Sequence, residues 1–349
     1  MIARTLGRDS KVRRTAFFLA RLKSLLDCGV DGGNVNSLNQ VYSSRSVRRR
    51  YEVWFLRLGL ADGSGAWWFR YLLMNPGRDG CADNPLGMPV QVWATWFPRD
   101  ARPQSFIQGF RLDGLKLSAE DRFPFHFAIA DNAIDEDSCR GQLNVNGHEI
   151  AWDLRYSSTF QATLSSKGWI GFSRTPHSDA AFSGHIILDG RKFEGQPLGF
   201  GLQGHNCGYR HRNFWTWAHV YFPRPGTSPS TFEALVYDMP FGLVFRKGVL
   251  WHEGRQDVFR KLREIREDRE NLQWSFRGSA RDGTQLEVAL DGRGLGIHRL
   301  PYLKTDCSGT FEVANNSLAR AELRLRRPGK SVQILEAVGG AVLEMGGPG

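Results

Sequence analysis

The most chemically loaded stretch of the sequence is Gly204-His205-Asn206-Cys207-Gly208, where two glycines bracket three polar side chains just ahead of an aromatic segment. Glycine permits a tight turn, and a loop of this kind can present His205 and Asn206 at a cavity mouth, with Cys207 in contact with a bound molecule. Histidine is the side chain that exchanges protons near neutral pH. From Phe214 to Phe222, period-two alternation puts Trp215, Trp217, His219 and Tyr221 on one face and Phe214, Thr216, Ala218, Val220 and Phe222 on the other. The first face suits the wall of a cavity for an apolar ligand, with a few polar tips to orient it; a filled barrel interior is the alternative. Tyr237-Asp238 closes the next strand before Met239-Pro240. A carboxyl in an aromatic pocket has its pKa raised and can act as an acid near pH 7; otherwise Asp238 starts a turn. Glu52 shares a strand face with Trp54, so it is either paired, with Arg70 on the facing strand as partner, or available to a ligand beside Trp54. His205, Cys207, His211 and His219 are of metal-ligating types, but their spacing matches no established site and no metal is expected.

These residues need strands to position them, and the sequence supplies many. Residues 51–58 and 66–73 form a hairpin across Ala61-Asp62-Gly63-Ser64-Gly65, and both its faces are apolar enough to require cover on both sides. Residues 90–97 add a strand that stops at Pro98. Asn146-Gly147 and Asp189-Gly190 mark two further hairpins. A second run starts near residue 184 and continues through 214–222, 231–238, 241–245, 249–252, 272–276, 286–290, 311–313, 321–325 and 332–335. Asp257 to Glu270 fits a helix, with Val258, Leu262 and Ile265 in step, or equally a charged strand pair. Fifteen or more short strands joined by hairpins suit antiparallel barrels or sandwiches. The expected fold is all-β: two tandem barrel-like domains over residues 46–185 and 186–345, behind a basic extension over residues 1–45.

Composition narrows the function class. The 349 residues include 41% hydrophobic and 23% charged side chains, with 42 aromatic rings, as in a globular protein. No run approaches the roughly 18 apolar residues of a membrane helix. The net charge of +10 is mostly local: residues 1–50 hold 11 Lys/Arg against 3 Asp/Glu, leaving 35 against 33 in the rest. A body so close to neutral argues against nucleic acid. Val12, Ala16, Leu19, Leu22 and Leu26 recur at helical spacing among the N-terminal charges, which suits either a peripheral membrane contact or a disordered extension. Residues 27–44 read as a linker. The five cysteines are odd in number, scattered and never C-x-x-C, so free thiols in a reducing cytosol are expected. Nucleotide-binding, dinucleotide-binding, zinc-protease and serine-hydrolase motifs do not occur, and no cofactor is expected.

Three features resemble the lipocalin-like superfamily of carotenoid 1,2-hydratase (hydroxyneurosporene synthase) and, more distantly, tocopherol cyclase. They are Tyr51-Glu52-Val53-Trp54-Phe55 followed by Trp68-Phe69-Arg70-Tyr71, then Gly204-His205-Asn206-x-Gly208 followed by Trp215-x-Trp217-Ala218-His219, and finally Glu312 to Ala319. The resemblance spans residues 46–345 and implies two lipocalin-like barrels. It also implies protonation of an isoprenoid C=C bond, followed by capture of the carbocation by water or an internal hydroxyl. Carried over, it points to His205 and Asn206, with Tyr237 and Asp238 as acid and partner. The family loop usually has Trp where this chain has Cys207. A cofactor-independent hydratase, cyclase or isomerase acting on a large apolar substrate is the leading expectation. A non-catalytic carrier for a hydrophobic small molecule comes second, and a membrane-surface adaptor third.

Overall fold

In both hairpins expected at Asn-Gly and Asp-Gly, the two turn residues have positive φ: Asn146 54° and Gly147 83°, Asp189 49° and Gly190 79°. That is the requirement of a type I′ turn, whose twist matches the strands it joins. The computed structural model describes residues 38–348, apart from 44–46, 82–83, 119–123, 166–170, 225 and 227. The basic helix expected within residues 1–37 lies outside the described residues.

The first twelve strands are β1 (Tyr51–Leu60), β2 (Gly65–Met74), β3 (Val90–Pro98), β4 (Gln104–Phe110), β5 (Lys116–Leu117), β6 (His126–Ile129), β7 (Asn132–Asp135), β8 (Ser138–Val145), β9 (His148–Ser157), β10 (Ala162–Ser165), β11 (Gly171–Leu188) and β12 (Arg191–Gly208). They make one antiparallel sheet in the order β4-β3-β2-β1-β12-β11-β9-β8-β7-β6-β5, with β10 paired to β11. The sheet curls until β4 approaches β8, where Asn144 N–H donates to Gln108 Oε1 at 3.4 Å. The remaining strands are β13 (Trp215–Phe222), β14 (Ser230–Asp238), β15 (Val244–His252), β16 (Arg255–Phe259), β17 (Lys261–Asp268), β18 (Gln273–Ser279), β19 (Gln285–Asp291), β20 (His298–Leu303), β21 (Thr310–Arg326) and β22 (Gln333–Gly346). Their order, β16-β15-β14-β13-β22-β21-β19-β18-β17 with β20 on β21, repeats the plan of the first sheet: the opening strand lies between its successor and the last strand.

The all-β expectation with two units therefore holds, and several details differ. The chain passes between sheets at residues 209–214, whereas the boundary expected at 185/186 falls inside the β11–β12 hairpin. Within residues 257–270 the strand alternative holds over the helix, with 257–259 in β16 and 261–268 in β17. Gly204 to Gly208 is the end of β12, not a turn. The glycines there make room for rings: a Cβ on Gly208 would come within 2.8 Å of the Tyr51 ring, and one on Gly204 would overlap Phe55. Cys81 and Cys307, 226 residues apart, form a disulfide that ties the segment after β2 to the β20–β21 connection. This overturns the free-thiol expectation and removes the basis for a cytosolic placement, since local spacing carries no information about so distant a pair. Cys139 and Cys207 are free and buried. No helix among the described residues is long and apolar enough to cross a membrane.

β1 and β2 are covered on both faces, as their sequence requires. One face (Trp54, Leu56, Leu58, Trp67, Phe69, Tyr71) fills the interior of the first sheet. The other (Val53, Phe55, Trp68, Leu72) packs with Trp217, Leu235, Val249 and Val342 of the second sheet. Arg57 crosses the same interface from β1. Its buried guanidinium donates to Ser317 O at 2.6 Å and Gly339 O at 2.6 Å. Burial lowers its pKa to about 10.

Candidate functional site

Alternation along β13 is as expected, with Ala218, Val220 and Phe222 inside the second sheet's own core. The ring-bearing face, however, turns toward the first sheet and not toward a barrel interior. Where Trp215 and Trp217 meet the outer face of β1, β2 and the end of β12, the two sheets leave a cavity of about 110 Å³. Its lining includes the rings of Tyr51, Trp68, Trp215, Trp217, Tyr237 and Tyr302.

Two buried ionisable side chains, Glu344 and Arg70, line this space. Glu344, on β22, is 9% exposed. Its Oε1 accepts from Trp215 Nε1 at 3.0 Å, and its Oε2 accepts from Asn315 Nδ2 at 3.2 Å and from the Tyr302 hydroxyl at 3.4 Å. Burial raises its pKa, and the Arg70 charge and the three donors only partly oppose that shift. Arg70, on β2, is 7% exposed, its guanidinium 4.6 Å from the Trp93 ring and 4.3 Å from the Tyr302 ring, two rings nearly perpendicular to each other. His211 also lines the cavity, stacked on Tyr51 at 4.3 Å. Burial, and secondarily Arg70, lowers its pKa to about 3, so it is a neutral imidazole at pH 7. Four buried polar atoms without a partner among the described residues belong to this lining: Trp68 Nε1, Arg70 Nη1, Asn206 Oδ1 and His211 Nδ1.

Of the residues expected from sequence, the cavity brings together Asn206, Cys207, Trp215, Trp217 and Tyr237. Burial holds the Cys207 thiol well above its ordinary pKa. His205, Glu52 and Trp54 sit elsewhere, on the inner face of the first sheet. There His205 Nε2 lies 2.9 Å from Glu52 Oε1 and Nδ1 lies 2.7 Å from Leu38 O, with the imidazole stacked on Trp54 at 4.7 Å. Residues 38–42, expected to be linker, close over this pair: Tyr42 N–H donates to Glu52 at 2.9 Å. Arg70 cannot pair with Glu52, because it stands opposite Phe55 and so on the other face of the sheet. Asp238 holds the β12–β13 connection by accepting from Asn213 Nδ2 at 2.8 Å and Phe214 N–H at 3.1 Å. His219 and Tyr221 lie farther along the interface. His219 Nε2 is 2.7 Å from Ser178 O, burial lowers its pKa to about 3, and Tyr221 stacks on Phe200 at 5.0 Å.

Opposite His219, on β14, Glu233 is buried beneath Trp217. Trp217 Nε1 donates to its Oε1 at 2.8 Å, and the Thr175 hydroxyl lies 2.8–2.9 Å from both its oxygens. Burial raises its pKa to about 7. Sequence reasoning passed over Glu344 and Arg70 as site residues. The signal for Glu344 was present: it is a single acid in the apolar closing strand Ala341-Val342-Leu343-Glu344-Met345, the pattern that drew attention to Glu52.

No family model and no curated protein matches the chain. Among solved structures, kievitone hydratase from Nectria haematococca aligns over 89% of this chain and 94% of its own, at 12% identity and a TM-score of 0.49. A candidate ATTH from Nitrosomonas europaea aligns over 90% of this chain and 98% of its own, at 10% identity and a TM-score of 0.47. Neither likeness transfers a residue role to this chain.

Proposed function

We propose that the protein adds water across a C=C bond of an apolar, isoprenoid-type substrate held between the two sheets, with Glu344 as the acid. The observation that carries this reading is a buried carboxyl of raised pKa beside aromatic faces. In the protonated form, Glu344 gives its proton to the less substituted alkene carbon, and the π pair becomes the new C–H bond. Positive charge is left on the more substituted carbon, against the negative ring faces of Trp215 and Trp217. A water oxygen then bonds to that carbon and releases a proton to the Glu344 carboxylate, which restores the acid. His211, neutral and with Nδ1 unpartnered, is suited to hold the attacking water. The net change is one H₂O added.

Size limits what enters. A cavity of about 110 Å³ is smaller than the ~150 Å³ apolar cavity that takes a benzene ring. It therefore encloses no more than a short segment of the substrate, and the rest of a longer molecule stays in the mouth. Incubation with short prenyl substrates in ¹⁸O-labelled water tests the reading. The parent should form labelled tertiary alcohol, and Glu344→Gln should lose on the order of 10²–10⁴-fold in rate while still binding the substrate. Saturable binding with no product from the parent would replace the enzyme with a carrier.

A further inference from the structure

Two buried arginines sit in the interface, and they are used in opposite ways. Arg57 spends its donors on backbone carbonyls of the second sheet. Arg70, 7% exposed, makes no hydrogen bond or ion pair to any described residue, and Nη1 is fully buried without a partner. Its aromatic neighbours, Trp93 beside it on β3 and Tyr302 from the second sheet, stand nearly perpendicular to each other, and Nη1 finds no acceptor among them. A guanidinium carries five donors, and leaving them unpaired away from water is costly. Trp68, two residues earlier on β2 and so on the same face, adds a second buried donor, Nε1, also without a partner. Both side chains line the cavity. The ionisable groups around the space are three guanidinium groups, Arg70, Arg210 and Arg212, against the single carboxyl of Glu344. Arg212 lies over the Tyr237 ring at 4.5 Å, and Arg210 is exposed. Nothing in a pure hydrocarbon would engage these donors.

We infer that Arg70, assisted by Trp68 Nε1–H, anchors an anionic oxygen of the ligand, so that the molecules bound here are amphipathic acids — carboxylates, phenolates or phosphate esters with an apolar body — rather than hydrocarbons. Arg70 presents the planar fork that matches such groups. The remaining two cations lie where they would draw an anion in. This deepens the proposed hydration by naming the head group of its substrate, and its test needs no turnover.

The test uses the saturated, unreactive series 3,7-dimethyloctanol, 3,7-dimethyloctanoic acid and 3,7-dimethyloctyl phosphate, with binding followed by calorimetry on the intact protein. At least one anion should bind roughly 10–100-fold tighter than the alcohol, the range expected for charge-assisted hydrogen bonds, and the better of the two identifies the head group. The preference should persist at roughly 0.5 M salt, because the Arg70 charge is buried. Arg70→Gln should reduce it to about threefold or less, and Arg70→Lys should keep part of it. Equal affinities across the series in the parent would overturn the inference without any variant. So would a preference that survives Arg70→Gln, or one abolished by salt, either of which would assign it to the rim. Because none of these ligands has a double bond, failure here leaves the hydration reading to its own test.

Discussion

At the residue scale, two buried acids with similar surroundings in sequence have different work. Glu52 and Glu344 each interrupt an apolar strand. Glu52 is closed off by His205 and by the Tyr42 amide, inside a core that includes Trp54, Phe125 and Phe127. Removing the imidazole leaves the buried Glu52 carboxyl without its side-chain partner, so His205→Ala should cost about 1–3 kcal/mol in denaturant unfolding. Its affinity for saturated ligands at the cavity should stay within about twofold of the parent's. Glu344→Gln should show the reverse: a small change in stability and the loss of turnover. Were His205→Ala to remove turnover with stability unchanged, the acid would have to be sought on the inner face of the first sheet.

At the element scale, the β11, β13 and β14 contact contains a titration that belongs to the interface between sheets. Glu233 has a folded pKa raised to about 7 from an ordinary 4.5, because burial disfavours the carboxylate. The folded state therefore holds a proton that the unfolded chain releases. Stability from this group is fully present below about pH 4.5 and is lost as the pH rises through about 7. The size is about 3 kcal/mol by the ordinary conversion of pKa shift to free energy. Chemical denaturation between pH 4.5 and 8 should show this decline in the parent and a flatter profile in Glu233→Gln, which keeps an oxygen for Trp217 and Thr175. An unchanged slope in the variant would show that another group sets the pH dependence.

At the scale of the whole molecule, two sheets of the same topological plan are joined by an aromatic interface, by Arg57 and, besides the chain itself, by a disulfide. Cys81–Cys307 closes a loop of 226 residues between them, and a native disulfide of this kind contributes about 2–5 kcal/mol. Reduction, or Cys307→Ser, should lower the melting temperature and loosen the cavity, which both sheets line. If ligand affinity survives reduction unchanged, the noncovalent contacts alone hold the sheets in place. Such a bond persists in oxidising surroundings.

What could be read from sequence was whatever depends on near neighbours along the chain. Asn146-Gly147 and Asp189-Gly190 forced their turns because few residues accept positive φ. Alternation sorted β1, β2 and β13 into two faces each, because successive side chains in a strand point opposite ways. The Trp215–Trp217 face was legible as a wall for that reason. Which two faces would meet was not legible. Arg70, Asn206 and Glu344 are each more than a hundred residues from the next, and they share a cavity only because β1 pairs with β12, β13 pairs with β22, and the sheets then stack outer face to outer face. The same stacking set one arginine against carbonyl oxygens and brought the Tyr302 ring to the other, beside its cross-strand neighbour Trp93. Strand order and sheet packing are long-range choices set by the total apolar area each arrangement removes from water, a quantity no local spacing records.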